Sequence, residues 1–209
     1  FVRETGDAGP RRPGAARRWW LHHSLRSLAS SLEGLQVQLI LRSGDQSEVV
    51  ASLLEETGAD TVLWNRRYEP AAMEADTRLK AELKGRGLAA KSFDGQLLHE
   101  PSRLRTGSGG FYKVFGAFWR AVEAEGEPRP PVEAPKSLRR YRRDVASEKL
   151  DQWGLLPTAP DWAGGLRDAW TPGEAGAHEQ LNRFLHDAVA GYAEARDFPG
   201  TPGTSRLSP

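Results

Sequence analysis

Apolar positions along the first 126 residues keep two rhythms in alternation. Over residues 17–35 they recur at Trp20, Leu21, Leu25, Leu28 and Leu32, the spacing of a helix, and Gly34 marks its end. The run VQLILR (37–42) predicts a strand. Helical spacing returns over 45–57 through Val49, Val50, Leu53 and Leu54, between an SGDQ turn and Gly58. TVLWN (61–65) is short, apolar and β-branched, the profile of a buried strand. Pro70 suits the first turn of a helix that runs to Lys84, with Met73, Leu79 and Leu83 inward. LAAKSF (88–93) predicts another strand, and 111–126 another helix, weakened by Gly116. Strands alternating with helices of this length pair in parallel through right-handed crossovers. The expected fold over 1–126 is therefore a doubly wound, Rossmann-like α/β domain. The strand ends near Asn65 and Phe93 should face any ligand crevice.

The texture changes after residue 126. Residues 127–169 are rich in proline and charge, which predicts an interdomain linker. RRYRR (139–143) within it could meet phosphates, although a solvated linker face is the simpler role. Residues 170–209 open a second domain. Thr171, Pro172 and Glu174 have the order of a capping box with proline at N1. Leu181, Phe184, Leu185, Ala188, Val189 and Tyr192 then form one apolar stripe, and Arg196 follows one turn later on the same face. The chain closes on GTSRLSP. Gly203 allows close approach of the backbone, and Thr204, Ser205 and Ser208 offer hydroxyls beside unpaired amides, a set able to hold a phosphate.

Composition narrows the chemistry. The chain has 209 residues, a net charge of +1 and no cysteine. No global field draws it to nucleic acid or membrane. Disulfide, thiolate and cysteine-held metal chemistry are excluded, and a reducing cytoplasm is the natural expectation. No apolar run approaches the roughly 18 residues of a membrane span. The chain opens on Phe1-Val2, so a piece of a longer protein is expected. Neither GxGxxG nor a phosphate-binding P-loop occurs, and no GxSxG makes Ser205 a hydrolase nucleophile. His22 and His23 are adjacent, and on a helix they diverge too far to share one ion; they are expected to be a surface or half-buried pair, with Trp19 and Trp20 packed against the sheet. His178 and His186 stand two turns apart, so no metal site is expected. Asp45, Asp60, Asp94 and Glu100 are expected in turns and caps.

Four stretches in fixed order carry a resemblance: RWWLHHSL (18–25), WNRRYEP (64–70), GGFYKVFGAFWRA (109–121) and RDFPGTPGTSRLSP (196–209). Together they resemble the DNA photolyase/cryptochrome family over nearly the whole chain, on the side of bacterial cyclobutane-dimer photolyases. The resemblance implies an antenna-carrying α/β domain, a linker and an all-helical domain that holds FAD. In that family, light-excited reduced flavin splits pyrimidine dimers that are flipped out of ultraviolet-damaged DNA.

On that resemblance Thr204, Ser205, Arg206, Leu207 and Ser208 match the FAD phosphate-binding run, Tyr192 the tyrosine ahead of it, and Arg196 a position that contacts DNA. No catalytic residue is assigned within the 209. Glu69 either lines an antenna pocket or serves as a charge at a helix start. Ala71 and Ala72 stand where folate-binding relatives carry Asn-Glu, so a deazaflavin or flavin antenna is favoured over folate. Gly116-Ala117 replaces an expected Thr-Pro. The family's opening strand and its flavin-reducing tryptophans lie outside the sequence, so the 209 residues alone are expected to bind FAD poorly. The implied parent protein is a cytoplasmic monomer. A cryptochrome-type photoreceptor, and a plain α/β nucleotide-binding or interaction module, are the other readings.

Overall fold

A computed structural model describes residues 1–4, 13–95, 97–139, 141, 143–207. The chain divides into two compact units, one of Val2–Gly9 with Ser43–Lys136 and one of Phe1, Pro10–Arg42 and Ser137–Pro209.

The first of these units is α/β. It contains β1 (Val2–Glu4), all of β2 (Arg42–Gly44) but Arg42, α2 (Gln46–Thr57), β3 (Thr61–Asn65), α3 (Pro70–Gly85), β4 (Ala89–Phe93) and α4 (Phe115–Glu125), while α1 (Ala15–Gly34) lies in the other unit. β1 pairs with β2, and β3 pairs with β4 in parallel, from Thr61 opposite Ala89 to Asn65 opposite Phe93. Local chemistry sets the boundaries. The Asp45 carboxylate accepts from the Ser47 and Glu48 amides at 2.9 and 3.2 Å and so starts α2. Gly58, at φ +68°, ends it in the left-handed conformation that glycine adopts most easily. Pro70 opens α3 as expected, in a turn where its missing N–H is not needed. Leu54 of α2 and Leu79 and Leu83 of α3 form a core against Val62, Trp64, Leu88 and Ala90. Only the even-numbered positions of β3 face this core, and Leu63 on the opposite face is 60% exposed.

The second unit is built on α1, which buries Trp19, His22 and Leu25. Its core joins Leu25 and Leu41 to Trp153 and Leu155. Residues within the stretch read as a linker thus supply much of the packing: Val145, Trp153, Leu155 and Ala163 are all buried. The strand expected over 37–42 appears only at Arg42–Gly44. Its upstream backbone bonds irregular partners instead of a ladder. The Leu41 amide donates to Ser147 Oγ at 2.9 Å, the Glu148 amide donates to the Leu41 carbonyl, and the Phe1 ammonium donates to the Ile40 carbonyl. His22 is not at the surface; it is 1% exposed. Trp19 is buried against His23, whereas Trp20 is partly exposed and meets Trp170 edge-on.

The same unit carries the helical segment that follows residue 170: α5 (Gly164–Ala169), α6 (Glu174–Arg183), a wider turn over Phe184–Ala188, a tighter one over Val189–Gly191, and α7 (Tyr192–Ala195). The expected capping box does not form. Gly173 takes the N-cap place at φ +110°, beside Ser27, and the helix starts at Glu174. Nor is the stripe that follows buried: Leu181, Leu185, Val189 and Tyr192 are 37–51% exposed. Among the described residues no helix is long and apolar enough to cross a membrane, and no cluster of acidic, His or Cys side chains could hold a metal.

Candidate functional site

The residues singled out at the end of the chain lie on one folded-back segment. α7 is a single turn, closed by the Arg196 amide on the Tyr192 carbonyl and the Phe198 amide on the Ala195 carbonyl, both at 3.1 Å. The chain then turns twice more, with Thr201 N–H on the Phe198 carbonyl at 2.9 Å and Gly203 N–H on the Thr201 carbonyl at 2.7 Å. These turns set the hydroxyl run beside the end of α7, because Gly203 is buried against Ala195.

Tyr192 is 41% exposed and meets the Phe184 ring edge-on, with centroids 5.7 Å apart. The Arg196 guanidinium lies over the Tyr192 ring at 5.7 Å, within reach of a cation–π contact, and also 3.8 Å from Asp197. The Leu207 amide donates to Ser205 Oγ at 3.3 Å. Arg206 sits at φ +54°, in a region non-glycine residues rarely adopt. Among the described residues the Thr204 hydroxyl and the Arg206 guanidinium meet no hydrogen-bonding or ionic partner. Ser208 lies outside the described residues. The structure therefore brings Tyr192, Arg196 and residues 204–207 onto one short stretch. Two of its donors are open, one hydroxyl is engaged locally, and one backbone position is held unusually.

Arg206 and Leu207 also reach a cleft of about 650 Å³ in the same unit, walled by Trp20, Leu28 and Trp170 and edged by Ser24 and Thr171. An exposed guanidinium beside aromatic walls suits an anionic group attached to a planar ring.

The turn after β3 carries the densest polar cluster. Arg67 binds Asp76 and Gln46, each at 2.5 Å, and Glu4 at 2.9 Å. Arg66 pairs with the buried Glu100 at 2.5 Å, and the Tyr68 hydroxyl also donates to Glu100. Burial, then the bond to Glu100, pushes the Tyr68 phenol above its ordinary value. Glu100 was expected in a turn or cap and is instead the buried partner of this pair, recruited from 34 residues downstream of Arg66. Asp45 and Asp60 do have the expected local roles, Asp60 accepting from the Thr61 hydroxyl at 2.8 Å. Glu69 is exposed at the N-cap of α3, with no side-chain capping bond. Tyr141 is exposed, and Arg140 and Arg142 of the basic run lie outside the described residues.

A family model described as DNA photolyase matches residues 1–136. The chain belongs to the DNA photolyase family. Over all 209 residues it is 54% identical to the deoxyribodipyrimidine photo-lyase of Agrobacterium fabrum, of which it spans 43%. Cryptochrome-1 of Arabidopsis thaliana is 32% identical over 214 residues, covering all of this chain and 31% of that protein. Among solved structures, a bacterial class III photolyase from Agrobacterium tumefaciens matches with a TM-score of 0.93 over 99% of this chain and 42% of its own. A Synechocystis cryptochrome at 20% identity shares the fold, with a TM-score of 0.77 over 94% of this chain. The chain thus spans less than half the length of these relatives, and the α/β architecture expected from its sequence is the one they share.

Proposed function

We propose that the parent protein repairs cyclobutane pyrimidine dimers in ultraviolet-damaged DNA with light, and that residues 192–208 begin its FAD site. The observation that carries this is the run from Thr204 to Leu207, with an open hydroxyl, an open guanidinium and a left-handed Arg206, on the same folded-back segment as the exposed Tyr192. Those donors fit a diphosphate, which needs several N–H and O–H groups converging on its oxygens. Thr204 and Ser205 would hold the phosphate oxygens and Arg206 would balance their charge, with Leu207 and Tyr192 packing on the rest of the nucleotide. When bound, the reduced flavin supplies the light-driven electron that opens the cyclobutane ring. Arg196 would meet a DNA phosphate, and its present partners, a ring face and an exposed carboxylate, leave it able to do so. Residues 1–126 would form the antenna domain, 127–169 the connection and 170–209 the start of the flavin domain. A deazaflavin or flavin is the favoured antenna, and Glu69 its candidate contact.

A second reading, a blue-light receptor without repair, is favoured by the 32% identity to Cryptochrome-1. One experiment separates them. The purified full-length protein is examined for a flavin absorption band and then incubated with dimer-containing oligonucleotide under blue light. A flavin band with loss of dimers is the expected result. A flavin band without repair selects the receptor, and a colourless protein that cannot be reconstituted with FAD overturns both.

A further inference from the structure

We propose that Gly203 and Ala195 form the contact that seats the hydroxyl run at its working distance from Tyr192, making both of them positioning residues for the nucleotide. This rests on the flavin reading above and adds two residues that themselves offer no side-chain polar group to a ligand.

The constraint is steric. Gly203 is buried in an otherwise exposed loop. A Cβ built on it would lie 2.6 Å from Ala195 Cβ and 2.7 Å from both the Ala195 carbonyl carbon and its oxygen. Side-chain carbons do not approach that closely, and two of the three obstructing atoms are backbone, so no rotamer change relieves the clash. A side chain here would force the loop to shift away from α7. The Ala195 carbonyl is also occupied, since it accepts from the Phe198 amide at 3.1 Å and starts the sequence of turns that ends at Gly203. Tyr192 and Ala195 share one helical turn, closed by the bond from Arg196 N–H to the Tyr192 carbonyl. The glycine contact therefore sets how far Thr204 and Ser205 stand from the Tyr192 phenol. Any carbon added on either side pushes the loop away from α7 and takes the donors out of register with one another.

The test uses the full-length protein and two ligands: FAD, and riboflavin, which carries the ring without the diphosphate. In Gly203→Ala, FAD affinity should fall about tenfold or more, as expected for losing one hydrogen bond to a charged group. Riboflavin affinity and the melting temperature of the apoprotein should stay as in the parent. Ala195→Val crowds the same contact from the helix side with Gly203 intact, and should give the same selective loss; it stands in if Gly203→Ala does not fold. The proposal is overturned if the folded variants hold FAD within twofold of the parent. It is equally overturned if FAD and riboflavin weaken together with a fall in melting temperature, which marks a merely structural contact. Thr204→Ala keeps the two readings apart. If it binds FAD normally, the phosphate run itself is wrong; if it loses FAD while Gly203→Ala and Ala195→Val do not, only the positioning role fails.

Discussion

The turn after β3 and the run after Gly203 are both short, polar and set where a helical element meets a loop, yet they end in opposite states. At the first, every strong group is answered. Arg67 reaches an acid on each side and an amide, and Glu100 takes both a guanidinium and a phenol. At the second, among the described residues, the Thr204 hydroxyl and the Arg206 guanidinium stay open, and the Leu207 N–H bonds Ser205 Oγ locally. Burial explains the difference. Asp76 and Glu100 are 9% and 8% exposed, where an unpaired charge is costly, so the fold must bring partners from far along the chain. Thr204 and Arg206 are exposed, and water can serve them. A closed polar cluster is evidence for architecture, and an open one on a braced loop is evidence for binding.

Asp76→Ala is the strongest way to break that contrast. It leaves Arg67 with Glu4 and Gln46 but without its buried partner, and should lower the unfolding free energy by about 2–3 kcal/mol, somewhat under the value for a fully buried pair because the Arg67 side chain is 31% exposed. Urea unfolding with an unchanged slope is the measurement. An unaltered midpoint would mean the cluster is not closed in the sense argued here.

A smaller effect comes from His22, a third kind of polar environment, buried and unanswered. Among the described residues neither ring nitrogen has a hydrogen-bond partner, and Asp151, 3.9 Å away, is exposed. Burial pushes its proton affinity down, with Arg26 adding to the shift and Asp151 opposing it. His23 is lowered too, by burial first and then by His22, Arg26 and Arg167. A lowered folded value means that the unfolded chain binds protons more readily. The neutral imidazole's contribution is therefore complete above pH about 6.5 and is lost as the pH falls below it. Each such proton adds a slope of up to about 1.4 kcal/mol per pH unit. Urea unfolding of the parent and of His22→Leu at pH 7.5 and 5.5 should show a smaller acid loss in the variant, His23 supplying the remainder. Equal losses would assign the acid sensitivity elsewhere.

These environments were unequally legible in the sequence. β3 matches the run TVLWN to the residue, because this short apolar run opens on two β-branched residues and is bounded by polar ones, whereas LAAKSF exceeds the partner strand by one residue. The start of α2 was equally plain, since an aspartate two and three residues ahead of the amides it caps is a local signal. What failed was non-local. Nothing in the spacing of Arg66 and Glu100 announces a pair 34 residues apart, and nothing around 37–42 says that Ser147 and Glu148 will take the Leu41 bonds in place of a neighbouring strand. Thr171-Pro172 had the letters of a helix start, but Gly173 at φ +110° beside Ser27 moved that start to Glu174. The hydroxyl run stands out in the sequence by its own chemistry and by the family resemblance. Its bracing by Ala195 became visible only when the loop was seen folded back on α7.

Thr204 is where binding and folding can be told apart. If the run after Gly203 is built for a ligand and not for the fold, Thr204→Ala in the 209-residue chain should change the unfolding free energy by less than about 0.5 kcal/mol, the range of ordinary surface substitutions. The hydroxyl is exposed and holds no partner among the described residues, so its removal strands no donor or acceptor. A loss of 1 kcal/mol or more would mean that Thr204 secures the loop, and the contrast with Asp76 would then be one of degree. Near-neutral stability here, with a fall in flavin content for the same change in the full-length protein, would separate binding from folding at a single side chain.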